Sequence, residues 1–240
     1  MKDGSEKSES PEKSPIRVRI LCVSDHVDPL IYSNSLKSRF SNIDLVLGAG
    51  DLELPYYGYI VSNLNKPLGF VFGNHNLKRI AFYRKEHMTD QFDFKKTSFT
   101  ERSFGSTYLG DRVMKIGGVL VAGLGGSKKY NNGINQFSEF QMFFKITRLL
   151  PGLLINKIFR GRWLDILLTH APPAGIHDRE DRCHQGFSVF LRFMQWFKPR
   201  YLIHGHVHLY DLNAIRKSTY QETTVVNAYE HVVIEIEVPG

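Results

Sequence analysis

Five short apolar runs in this chain each stop on a side chain able to bind a metal, and that regularity limits the folds open to it. Ile16 to Val23 is followed by Ser24-Asp25, and Ile43 to Leu47 by Gly48-Ala49-Gly50-Asp51. Leu68 to Phe72 runs into Gly73-Asn74-His75, Asp165 to Thr169 into His170, and Tyr201 to Ile203 into His204-Gly205-His206-Val207-His208. Each run is too short for an ordinary helix and rich in β-branched or aromatic residues, so each reads as a strand. In parallel α/β sheets, ligands bind beyond the carboxyl ends of the strands, which is where these donors sit. In an extended segment His206 and His208 project to the same side and can reach a shared site, although two histidines flanking a valine are also compatible with a solvated strand end.

Taken in order, Asp25, Gly48 to Asp51, Gly73-Asn74-His75, His170 and Gly205-His206-Val207-His208 resemble the motifs of the calcineurin-like metallophosphoesterase superfamily, over most of the chain. The resemblance implies a four-layer α/β/β/α sandwich, two divalent metal ions, and hydrolysis of phosphomonoesters or phosphodiesters. By position it implies that Asp51 bridges the ions. Asn74, His170 and His206 would complete one site, and Asp25 and His208 would belong to the other. His75 would be the general acid. The sequence departs from the family pattern at Val27, where Asp-x-His is usual and an imidazole is expected. Alternation turns His26 away from Asp25, so His26 could substitute only across a backbone bulge. Asp28 is a second substitute, but Asp28-Pro29 is also an ordinary turn opener. Asn76 and Glu53 are smaller departures that remove no ligand.

The chemistry explains the residue types. A phosphate ester is anionic and repels hydroxide, so two cations about 3.5–4 Å apart neutralise its oxygens and lower the pKa of a water between them. A nearby imidazole that protonates the departing alkoxide contributes about 10²–10⁴-fold. A shell of Asp, Asn and His without thiolate suits manganese, iron or zinc better than copper or calcium. The alternative to an enzyme is a metal-binding scaffold that keeps the fold without turnover. Retention of His75 argues against it.

The remainder reads as one domain over residues 16–240 behind a polar tail, 1–15, whose Lys, Glu and Ser content predicts disorder. A length of 240 residues and 42% hydrophobic content suffice for a core. No secretory signal or membrane span is legible, so a cytoplasmic protein is expected. Cys22 reads as a small buried hydrophobe and Cys183 as a loop residue, with no disulfide framework. Helices are expected at 34–40, 56–65, after Asn76, at 136–150 and at 187–197. Further strands are expected at 113–116, 119–124, 223–226 and 231–238. The last alternates as a half-exposed strand near an edge.

Four features bear on partners. The glycine-rich stretch Gly123 to Gly133 is either an anion cradle or a tight connection. The stretch Gly175 to Gly186, rich in titratable groups, is either a pocket wall or a solvated loop. A net charge of +7 and a pI near 9.3 favour anionic substrates, and the family resemblance implies a phosphorylated small molecule or nucleotide. Nucleic acid is the weaker reading, since no recognition motif accompanies the charge. Finally, Phe140 to Arg162 interleaves Phe143, Phe144, Leu149, Leu150, Leu153, Leu154, Ile158 and Phe159 with cations. Such a face packs inward or, if exposed, meets a membrane surface or another subunit.

Overall fold

The computed structural model describes residues 14–75, 104–211 and 213–239. The helix expected after Asn76, Asn76 itself and nearly all of the predicted tail lie outside these residues. In chain order the elements are β1 (Ile16–Ser24), α1 (Leu36–Arg39), β2 (Leu45–Gly48), α2 (Leu54–Leu64), β3 (Leu68–Phe70), β4 (Thr107–Tyr108), β5 (Arg112–Ile116) and β6 (Val119–Leu124). There follow β7 (Ser127–Lys128), β8 (Gln136–Phe137), α3 (Glu139–Arg160), β9 (Ile166–Thr169), α4 (Ser188–Phe197), β10 (Tyr201–His204), β11 (Lys217–Tyr220), β12 (Thr223–Asn227) and β13 (Glu230–Val238).

Two mixed sheets carry the fold, with strand orders β13-β1-β2-β3-β4 and β11-β12-β10-β9-β6-β5. In the first, β1, β2, β3 and β4 run parallel and β13 closes the edge antiparallel to β1. In the second, β12, β10, β9 and β6 run parallel between antiparallel edges β11 and β5. Parallel strands require both faces covered, and the continuous apolar runs of the sequence answer that need. One buried cluster joins the sheets, with Ile20, Leu45 and Leu47 of the first against Val121, Ile166, Leu168 and Ile203 of the second. A second lies between α3 and α4 and the other face of the second sheet, for example Ile146, Leu153 and Phe190 with Leu167 and Leu202. The third covers the first sheet's other face with α2 and the segment around Ile31 and Leu36.

The β13 alternation is explained by its register. Ile234, Ile236 and Val238 sit opposite Ile20, Val18 and Ile16, and they enter the inter-sheet cluster. Glu235 and Glu237 face outward toward Arg17 and Arg19. Such exposed pairs contribute about 0–1 kcal/mol each, so apolar burial sets the register.

Sequence periodicity misjudged α3 most. Its expected end at residue 150 is overrun by ten residues, to Arg160. Pro151 removes one backbone donor and ordinarily stops a helix. Here Leu153 and Asn156 are buried beyond it, and Asn156 Nδ2 donates to the Trp163 carbonyl, so tertiary contacts outweigh the missing bond. The start is set by Ser138 and Gln141 in a reciprocal capping box, and the end by Gly161 at φ +71°. Short strands β4, β7, β8 and β11 have no periodic signal long enough to read.

Candidate metal centre

Five connections, after β1, β2, β3, β9 and β10, meet at the carboxyl edges of the two sheets. The backbone does not continue extended there. Asp25, Asp51 and His206 have φ of +64°, +58° and +67°, a left-handed region unfavourable for residues with a Cβ. This corrects the expectation that His206 and His208 project together from an extended segment, since β10 ends at His204 and the chain turns at His206. Glycines let the loops approach. A Cβ on Gly73 would collide with the Asp51 carboxylate and lie 2.6 Å from His170 Cε1. One on Gly205 would collide with Ser24 Oγ and the Asp25 carboxylate.

Asp51, His170 and His206, all buried, each offer one ligand atom, and these atoms lie within 4.8 Å of one another. His170 Nδ1 is 2.8 Å from the Ala49 carbonyl, which can only accept, so Nδ1 carries a proton and Nε2 faces the centre. Nε2 is 3.0 Å from Asn74 Oδ1 and 3.3 Å from an Asp51 oxygen. The Asn74 amide is fixed from behind, its Nδ2 donating to Tyr130 Oη at 3.1 Å. His206 Nε2 is 2.7 Å from the Cys183 carbonyl, which makes it the donor and leaves Nδ1 with the free lone pair. One carboxylate, two oriented imidazoles and one amide oxygen form a set that fits a divalent cation.

The electrostatics agree with that fit. Burial alone would raise the Asp51 carboxyl, but the His170 charge and hydrogen bonds from His170 and the His75 amide take it down to about 2. Burial likewise works against protonation of His170, yet Asp51 and then Asp25 outweigh it and raise the imidazole to about 9. A protonated His170 therefore supplies positive charge between Asp51 and Asn74. His206 is driven the other way by burial and by the neighbouring His170 charge, to about 3, and stays neutral.

The other sequence candidates sit around this group. The Asp25 carboxylate accepts from the His206 backbone N–H at 2.9 and 3.0 Å, and burial pushes its carboxyl upward. His208 Nε2 lies 3.8 Å from Asp25, while its Nδ1 is 2.7 Å from Tyr210 Oη and its ring lies 4.9 Å from Tyr229. His75 donates its backbone N–H to Asp51 at 2.7 Å and is exposed at the rim. Val27 is exposed. Neither proposed substitute joins the donors. His26 Nδ1 is 3.6 Å from Glu230, and Asp28 caps the Leu30 amide and pairs closely with His231.

Loops that the sequence left open resolve as supports. In the stretch from Gly123 to Gly133, the amides of Gly126, Ser127, Lys129, Tyr130, Asn131 and Gly133 all donate inside the protein, as in a tight connection. Stretch 175–186 is a wall. Asp178 accepts from the Gly175 and Gly186 amides, Cys183 holds His206, and Arg179 donates to the His208 carbonyl. His177 hands a hydrogen bond to the buried His204, whose Nδ1–H donates to the Gly205 carbonyl. Beside His208 opens a cleft of about 670 Å³ lined by His177, Arg179, Tyr210 and Ser218 among others. Tyr130 escaped the sequence reading. The only available signal was that its loop follows β6, whose carboxyl end lies at the same edge as β9.

The calcineurin-like phosphoesterase family model matches residues 18–210, and the chain belongs to that family. No curated protein matches the sequence. One solved crystal structure superposes with a TM-score of 0.63 at 13% identity, covering 92% of this chain and 95% of its own. The crystal structure of TT1561 of Thermus thermophilus does so with a TM-score of 0.55 at 13% identity, covering 90% of each chain. At such identities these likenesses speak for the fold alone.

Proposed function

We propose that the protein is a metal-dependent phosphoesterase acting on a phosphomonoester or phosphodiester of a small molecule or nucleotide. The observation that carries this reading is the convergence of Asp51, His170 and His206 within 4.8 Å, with the Asn74 amide oxygen turned toward the same centre. In this reading Asp51, Asn74, His170 and His206 hold one divalent ion. Asp25 and His208, sharing Asp51, hold a second with one imidazole fewer than is usual, because Val27 stands where an imidazole is expected. Manganese, iron or zinc suits the donors, and when bound such ions neutralise the ester and acidify water.

The chain's own residues do the rest. The Ala49 and Cys183 carbonyls fix the imidazole tautomers, and the buried floor excludes bulk water from Asp51 and His170. His75, exposed at the rim, delivers a proton to the departing alkoxide oxygen. The organic part of the ester lies in the cleft beside His208, where Arg179 adds positive charge.

The test is hydrolysis of paired monoester and diester substrates with added manganese, with metal counted on the same sample. His206→Ala is expected to abolish activity. His75→Ala is expected to cost about 10²–10⁴-fold on alkyl esters, and less on p-nitrophenyl esters, whose leaving group needs no proton, with metal content unchanged. Tyr130→Phe, which frees the Asn74 amide to rotate, is expected to weaken manganese binding about ten-fold in equilibrium dialysis. Full metal loading without turnover across a broad ester panel would overturn the enzyme in favour of a scaffold.

A further inference from the structure

Helix α3 is apolar on two opposite sides. Met142, Ile146, Leu149 and Leu153 face the core. Phe140, Phe144, Leu154, Ile155, Ile158 and Phe159 are exposed, with Phe140 at 68%, Ile158 at 73% and Phe159 at 77%. At 100° per residue, positions 140, 144, 151, 154, 155 and 158 form one stripe about 27 Å long, opposite the buried positions. Phe140 and Phe144 meet edge to face at 4.6 Å within it. Large apolar side chains left in water at both ends of this stripe, with Thr147 and Pro151 between them, mark an interaction surface.

The charges identify what covers it. From Phe140 to Arg162 the sequence has five cations, Lys145, Arg148, Lys157, Arg160 and Arg162, and no acidic residue. Lys145 and Arg162 pair with Asp111 and Asp165. Arg148, Lys157 and Arg160 are exposed. Lys157 donates only to the Gly161 carbonyl and Arg160 to the Asn156 amide, and among the described residues no carboxylate lies within ion-pair distance of the three. A second copy meeting this face across a two-fold axis would bring like charges together, which disfavours self-association. An anionic lipid surface accepts both components, the apolar stripe among acyl chains and the cations at the headgroups. No described helix is long and apolar enough to cross a membrane, so the contact is in the plane of the interface.

We propose that α3 is a docking element for an anionic phospholipid surface. The full chain should co-sediment with vesicles of phosphatidylcholine mixed with phosphatidylglycerol, less with phosphatidylcholine alone, and less as salt is raised. Arg148→Gln and Lys157→Gln should each weaken binding about five-fold. The double variant Phe144→Asp with Ile158→Asp should lose it. Both positions are solvent-exposed, so circular dichroism and manganese-dependent hydrolysis of a soluble ester should be unchanged in that variant. Absence of wild-type binding to the mixed vesicles, or binding that survives the double variant, overturns the proposal. So does a wild-type dimer in sedimentation equilibrium that the double variant dissolves, since the stripe is then a self-interface.

Discussion

Asp51→Asn is expected to lower manganese-dependent ester hydrolysis by about 10³-fold or more, the largest effect of any charge-removing change in this protein. The substitution keeps the shape and removes the charge from the one carboxylate assigned to both ions. A loss of about 4 kcal/mol of charge stabilisation in the transition state corresponds to that factor. The fold should persist, because an asparagine oxygen can still accept the His75 amide. His170 would lose the partner that holds its proton, so its imidazole should titrate well below about 9. Steady-state rates, metal content and the His170 resonance followed by NMR would check all three. An Asp51→Asn enzyme within ten-fold of wild type would remove Asp51 from the proposed centre.

The second large effect is on pH. His170 keeps its proton up to about 9 in the metal-free protein, and a cation must displace it to reach Nε2. Apparent metal affinity should therefore fall about ten-fold per unit below that value, about 100-fold from pH 8 to pH 6. Calorimetry in buffers of different ionisation enthalpy should show about one proton released per ion at that site. Equal affinity at pH 6 and pH 8 would mean that His170 is not a ligand.

The stability of the metal-free protein follows from the same groups. The folded-state pKa of His170 lies above its ordinary value of about 6.5, so its contribution is full below that pH and is lost as pH rises through about 9. His204 and His206 lie below theirs, at about 3, because burial and neighbouring histidines oppose their charge. They contribute above about 6.5, and that contribution shrinks as pH falls toward 3. Denaturant titrations of the metal-free chain should find stability falling as pH drops below about 6.5, where these buried neutral histidines oppose protonation, and falling again as pH rises through about 9, where His170 loses its proton.

Parallel strands ending in donors were legible because each carries a local signal, a β-branched run followed by glycine and a ligand. The order of Asp25, Asp51, Asn74, His170 and His206 gave the candidate site for the same reason. The backbone between strand and donor was not legible. Alternation assumes an extended chain, and Asp25 and His206 leave that region within one or two residues of their strands. Nor could sequence pair Asn74 with Tyr130, 56 residues away, or His206 with the Cys183 carbonyl, because backbone acceptors carry no residue-specific mark. The end of α3 failed differently. Pro151 is a true local stop signal, and only packing against β5 and the Trp163 turn overrides it.

Asp25, Asp51 and Asn74 hang from one sheet, and His170, His206 and His208 from the other. The apolar layer between Leu47 and Leu168 keeps the two half-sets in register. A cation held by both halves would act as a clasp across that seam. Damage anywhere along the seam, however distant from a donor, would then surface as poorer ion retention before it surfaced as unfolding.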